Sequence, residues 1–169
     1  TPLTSGDVTL DPGKLTTVLV LGRADAEGDA ALGVSAFVDD RRTEPDKARV
    51  RIVHAALGDE TRAPSALAVR AVAATTTLLA DRIEPRKKGA ASMTIPVDEL
   101  GYATVAPVPP PAALAVGPAA DTSADAAPEP WQSAAADLEL VGGSLHTGFV
   151  VSEGTACAVL WCADPRTAG

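Results

Sequence analysis

The chain has only two histidines, and one of them ends an unusually regular stretch of sequence. In ARVRIVH, residues 48–54, arginines alternate with apolar residues, which is the period-two pattern of a β-strand. Val50, Ile52 and His54 then share the apolar face, which is expected to point into the core. A buried imidazole needs hydrogen-bond partners, so we expect His54 to bond a backbone group or a carboxylate across that core.

A catalytic role for His54 would need a nucleophile and an acidic residue within reach. Ser65 or Ser92, together with Asp59, is the hydrolase-like set that the sequence offers. No Gly-x-Ser-x-Gly elbow accompanies these serines. The structural role of His54 is therefore favoured and no catalytic residue is assigned. A hydrolase centred on His54 is the alternative, and His54 and Asp59 stay as candidate binding residues.

Two cysteines could indicate a disulfide or a zinc site. Five residues along one regular strand place Cys157 and Cys162 on opposite faces about 16 Å apart, beyond the reach of a disulfide. A bridge would become possible if the strand turned back between them, as an exported protein would allow. Zinc sites usually contain a Cys-x-x-Cys pair, which is absent from the sequence. We expect no metal site here and interpret Cys162 as a small buried hydrophobic residue.

An acidic, glycine-containing loop covers residues 23–31 and carries Asp25, Glu27 and Asp29. Oxygen ligands at this spacing could hold calcium, although the pattern is not that of an EF-hand. A solvated loop is favoured, and a calcium-dependent adhesive module is the second alternative. No motif for a cofactor is present, and none is expected.

Composition narrows the classes of partner. The net charge of −8 would repel a nucleic-acid backbone, so nucleic-acid binding is not expected. No apolar run approaches the roughly 20 residues of a membrane-spanning helix. The N-terminus lacks the features of a signal peptide, so we expect any export signal to have been removed already. With 169 residues, the chain can form one domain, or one domain and part of another.

The apolar periodicity predicts an all-β protein, because period-two segments recur along the chain and no long helical pattern does. Residues 65–83 are the one candidate helix, yet their valines and threonines favour two strands. Residues 106–130 contain seven prolines and are predicted to form one exposed loop. Trp131, directly after them, is a candidate to anchor this loop or to bind a ligand.

An internal repeat links the two ends of the chain. Residues 8–22 match residues 138–152 at an offset of 130, and the match continues at an offset of 124, which pairs Phe37 with Trp161. Positions expected to be structural therefore come in pairs: Gly13 with Gly143, and Thr17 with Thr147. His146 matches Thr16 and is expected to face solvent.

The repeat predicts the domain organisation. Residues 46–165 are expected to form one whole unit, and residues 1–45 the closing strands of a preceding repeat, packed on that unit or exchanged with another copy in a homo-oligomer. Three strands alone would bury too little surface to be stable.

Four segments of the main unit, KARVRIVHA, SALAV, GYATVAP and LELVGGSLHTGFVV, resemble a bacterial family of domains of unknown function, family 4397. The resemblance implies tandem, secreted or surface-attached β-sandwich modules with no assigned chemistry. We therefore predict an antiparallel, immunoglobulin-like β-sandwich that is secreted or on the cell surface. It would be a non-catalytic module with a structural role or an unidentified protein or glycan partner.

Overall fold

The computed structural model describes residues 7–27, 31–39, 41–56, 65–85, 95–119, 132–135, 138–153 and 156–163. Within them the fold is all-β, as predicted, and the chain divides into two compact units, Thr1–Arg41 and Arg42–Gly169. The boundary lies four residues before the predicted one. No helix among the described residues is long and apolar enough to cross a membrane.

The first unit contains one antiparallel hairpin, formed by β1 (Leu15–Leu21) and β2 (Gly33–Asp39). A tight turn precedes β1, in which Lys14 N donates to Asp11 O over 3.1 Å. Gly13 has a φ of 74° in this turn, a conformation that suits glycine because it has no Cβ.

The second unit is a sandwich of two four-stranded sheets with the orders β10-β9-β3-β6 and β5-β4-β7-β8. Its strands are β3 (Ala48–His54), β4 (Leu67–Val72), β5 (Thr76–Ile83), β6 (Tyr102–Val105), β7 (Ala113–Pro118), β8 (Gln132–Ala135), β9 (Leu145–Glu153) and β10 (Ala156–Ala163). Neighbouring strands are antiparallel except for β3 and β9, which pair in parallel. This one pair departs from the purely antiparallel arrangement that the sequence predicts.

The core lies between the two sheets. Ile52 and Val150 from the first sheet and Leu79, Ile83 and Leu114 from the second are each no more than 2% exposed. Burying a side chain of this size contributes about 1.5–3 kcal/mol, so contacts between the sheets stabilise the unit more than any single turn does.

Residues 65–83 form two strands, β4 and β5, as the β-branched residues in this segment predicted. Residues 106–130 differ from the prediction, because β7 lies within them and is paired with β4 on one edge and β8 on the other. The prediction of one continuous loop is wrong for residues 113–118. Four prolines lie between residues 107 and 111, before the strand, and Pro118 ends it, so the interior of β7 keeps its amide donors.

The strand register also corrects one half of the internal repeat. Thr17 pairs with Phe37 across the first hairpin, whereas its equivalent Thr147 pairs with Cys162. Phe37 is thus equivalent to Cys162 and not to Trp161, and the second half of the match has an offset of 125. A shift of one residue moves a side chain to the opposite face of the sheet.

Candidate functional site

The candidate site built around His54 lies at the end of β3, where the first sheet approaches the second. The side chain is 1% exposed, and its Nε2 lies 2.8 Å from the backbone carbonyl oxygen of Ser65. Because a carbonyl can only accept, Nε2 carries the proton and donates it. Ser65 leads into β4, so this hydrogen bond joins the two sheets.

The surroundings of His54 favour the neutral imidazole. Burial lowers the pKa of His54, and the hydrogen bond to Ser65 and the charge of Glu84 only partly oppose this effect. Nδ1 is buried and has no hydrogen-bond partner among the described residues. Protonation would leave a charged N–H without an acceptor, so the site disfavours it.

The hydrolase-like set is not assembled around His54 in the described part of the chain. The atom of Ser65 that contacts the imidazole is its backbone carbonyl oxygen and not its hydroxyl. The other candidates for this site, Asp59, Ser92 and Trp131, lie outside the described residues. The geometry of His54 therefore suits a structural role, in which its hydrogen bond to Ser65 O links the two sheets.

His146 is the second buried histidine, and the expectation that it faces solvent is wrong. It is 6% exposed and stacks on Trp161, with ring centroids 5.2 Å apart. The Ser144 hydroxyl donates to Val141 O at 2.6 Å and accepts from His146 Nε2 at 2.8 Å. Burial lowers the pKa of this imidazole as well. His146 lies on the face of β9 that points into the core, beside Val50 of β3, and Trp161 on β10 stacks on it there.

A cluster on the opposite face of β3 was not predicted. The guanidinium groups of Arg49 and Arg51 lie 4.9 and 4.7 Å from the ring centroid of Tyr102, at distances typical of cation–π contacts. Arg49 also pairs with the Asp98 carboxylate and donates to the Arg42 carbonyl oxygen at 2.8 Å. Both arginines are buried.

Asp98 organises the turn that begins β6, because its Oδ1 accepts from the backbone amides of Leu100 and Tyr102, each at 2.9 Å. Arg49 therefore links the cluster to the backbone in two places, directly at Arg42 O and through the Asp98 carboxylate to the turn before β6. The sequence did contain a signal for this cluster, because Arg49 and Arg51 share one face of a strand whose other face is apolar. If such a strand is central in its sheet, both arginines are buried and need partners.

The two cysteines are free thiols on opposite faces of β10, as the spacing predicted. Cys157 is partly buried, and burial raises the pKa of its thiol. The interpretation of Cys162 as a buried hydrophobic residue is wrong, because this side chain is exposed. The offset of 124 would make Cys162 equivalent to Val38, but the strand register makes it equivalent to Phe37.

The acidic residues between β1 and β2 are not gathered into a described ion site. Arg23 binds the Asp25 carboxylate through two hydrogen bonds of 3.2 and 3.1 Å, and this contact lowers the pKa of Asp25. Glu27 is exposed, and Asp29 lies outside the described residues. Among the residues that the structure describes, no three His, Cys, Asp or Glu side chains are grouped to hold a metal ion.

No family model matches the chain, and no curated protein matches it. Among solved structures, the chain is similar to a protein from Bacteroides uniformis ATCC 8492 described as a "putative cell adhesion protein". The two are 10% identical, the match covers 92% of this chain and 68% of that chain, and the TM-score is 0.34. A similarity this weak carries no functional argument, so the resemblance to family 4397 stays a prediction.

Proposed function

We propose that this chain is a non-catalytic module of a secreted or cell-surface protein, with a role as a scaffold or as a binding domain for a protein or a glycan. The observation that carries the proposal is that both histidines are buried and bonded within the sandwich. His54 joins the two sheets through Ser65 O, and His146 is enclosed by Ser144 and Trp161. Neither imidazole is exposed to a substrate.

The electrostatics agree with a structural use of these groups. Burial lowers the pKa of both histidines, and each presents a protonated Nε2 to an oxygen of the protein. A general base needs an unprotonated nitrogen within hydrogen-bond reach of its substrate. The free nitrogen is Nδ1, and in both histidines it is buried.

The proposed location rests on the sequence. The resemblance to secreted, tandem modules supports this location, and the net charge of −8 suits a module that is exposed to solvent. The internal repeat, which has the period of a domain, suits a protein built from successive sandwiches.

Acylation by diethyl pyrocarbonate near neutral pH tests the proposal, because this reagent modifies accessible, neutral imidazoles. The chain has two histidines, so the signal is simple to assign. We expect no rapid acylation of the native protein and modification of both histidines in urea. His54→Gln is the matched control, which should leave one reactive imidazole in urea.

One histidine that reacts rapidly in the native protein would contradict the proposal. If the rapid reaction is lost in His54→Gln, and if acylation abolishes hydrolysis of a simple ester by the parent protein, a hydrolase centred on His54 would replace the scaffold as the proposed function.

A further inference from the structure

The hairpin of the first unit has the same design as the last hairpin of the sandwich. Gly13 and Gly143 have φ values of 74° and 80°, and the next strand begins two residues later in both cases, at Leu15 and Leu145. The turns also share a hydrogen bond across four residues, Lys14 N to Asp11 O and Ser144 N to Val141 O. Residues of β1 therefore correspond to residues of β9 at an offset of 130.

This correspondence shows which face of β1 would be the core face of a sandwich. In the complete unit, the core face of β9 carries His146, Gly148 and Val150. The equivalent residues of β1 are Thr16, Val18 and Val20, which share one face because side chains alternate along a strand.

The two faces have opposite environments. Val150 is fully buried, and a Cβ added to Gly148 would lie 2.9 Å from the Trp161 ring and 3.0 Å from Ile52. On β1, by contrast, Val18 is 50% exposed and Val20 is 55% exposed. The apolar face that closes a sandwich in one hairpin is uncovered in the other.

The edges of the two hairpins differ in the same way. In the sandwich, β9 pairs with β10 on one edge and, in parallel, with β3 on the other. Within the part of the chain that the structure describes, β1 has β2 as its one sheet neighbour. An edge strand of seven residues with an apolar face is suited to pairing with another strand.

We propose that the β1–β2 hairpin closes a second β-sandwich of the same type, whose other strands come from a module that precedes it along the polypeptide. A strand like β3 pairs in parallel with β1, and the opposite sheet of that module covers Val18 and Val20. This proposal rests on the part of the proposed function that takes the protein as a series of successive sandwiches, and it does not depend on the environment of the histidines.

A second copy of this chain fits the hairpin less well than such a module does. Both edges of β3 are already occupied, by β9 and by β6, so another copy presents no open position next to its β3. The required partner is a sandwich that lacks its own closing hairpin.

A grafted chain tests the proposal. Residues 42–137 are placed before residue 8 of the chain, because residue 8 is equivalent to residue 138. Position 20 is made a reporter by Val20→Cys in a Cys157→Ala, Cys162→Ala background. We expect the thiol to react at an unprotected rate in the 169-residue chain and at least about 100-fold more slowly in the graft, as expected for a site exposed only by local opening.

Two controls make the result decisive. A duplicate in which residues 42–163 precede residue 8 already has its own closing hairpin, so its added module should fold while position 20 stays reactive. A reporter made by Leu160→Cys in the same background, at a position that is 59% exposed, should react equally in all three chains.

Equal, rapid reaction of position 20 in the graft and the duplicate would overturn the proposal, whether or not the added residues of the graft fold. It would also be overturned if position 20 became protected in the 169-residue chain at high concentration while the mass doubled, because a second copy would then cover the hairpin.

Discussion

Val20 and Val150 occupy equivalent positions in two hairpins, yet Val20 is 55% exposed and Val150 is fully buried. The two strands share their turn, their alternation and several residues. The difference therefore lies in what covers each strand: β9 lies beside β3 and against the second sheet, and the face of β1 has no such cover among the described residues. Strand pattern selects which face can be buried, and packing decides whether it is.

The hairpins also differ where their strands are joined. Residues 22–32 connect β1 to β2, while residues 154–155 connect β9 to β10. The longer connection carries the Arg23–Asp25 ion pair. Exchanging equivalent residues between the two hairpins shows whether a change in the free energy of unfolding comes from the residue itself or from the packing around it.

The largest effect is expected from Gly148→Val, which gives β9 the residue that β1 has at position 18. The new side chain would collide with the Trp161 ring, where the first hairpin has the smaller Ala36, and with the end of Ile52, and we expect the free energy of unfolding to fall by about 3 kcal/mol. The reverse exchange, Val18→Gly, should cost no more than about 1 kcal/mol, because it removes only strand propensity at an exposed site. Urea unfolding followed by circular dichroism measures both. Equal losses would show that the two faces are equally packed.

A second pair of variants shortens the same residue in both hairpins. Val150→Ala should lower the free energy of unfolding by about 2 kcal/mol, because it removes buried methyl groups and leaves a cavity. Val20→Ala should change it by less than about 0.5 kcal/mol. A large loss for Val20→Ala in urea unfolding would mean that the face of β1 is covered in solution, contrary to the comparison.

Much of this fold could be predicted from the sequence because its signals are local. Alternation identified β3, the threonine run divided residues 65–83 into β4 and β5, and the repeated glycine turns identified the two hairpins. These features depend on side-chain period and backbone conformation, which a short window of sequence contains.

The features that were missed depend on contacts between distant residues. Trp161 from the next strand stacks on His146 and helps to bury it. The equivalent residue in the first hairpin is Thr16, and a threonine is common on surfaces, so the repeat gave no sign of this contact. The register of β10 was missed because matching the two aromatic residues, Phe37 and Trp161, gave an offset of 124, whereas strand pairing gives 125. The Arg49–Asp98 contact joins residues that are 49 positions apart in sequence.

The third test uses the histidine that one hairpin has and the other lacks. Burial lowers the pKa of both histidines in the folded protein, so below about pH 6.5 the unfolded chain binds more protons than the folded one. The contribution of the two histidines to the free energy of unfolding is therefore fully present above that pH and is lost as the pH decreases. Each histidine should cost up to about 1 kcal/mol between about pH 6.5 and 5.5.

His146→Thr, which introduces the residue of the first hairpin, should remove about half of this pH dependence in urea unfolding. His54→Gln should remove the other half, which makes the two variants controls for each other. An unchanged slope in both would mean that carboxylates, and not the imidazoles, cause the loss of stability in this range.

The smallest effect is expected in the loop that distinguishes the first hairpin. Arg23 is the largest cause that lowers the pKa of Asp25, and a backbone hydrogen bond adds to it, so Arg23→Gln should raise that pKa towards its ordinary value in a carboxylate titration followed by NMR. Calcium should leave the melting temperature of the parent chain unchanged, because the Asp25 carboxylate is already bound to Arg23. A rise in melting temperature with calcium that Asp29→Asn abolishes would revive the adhesive-module alternative. The longer loop would then be a functional difference between the hairpins, and no longer only a difference in length.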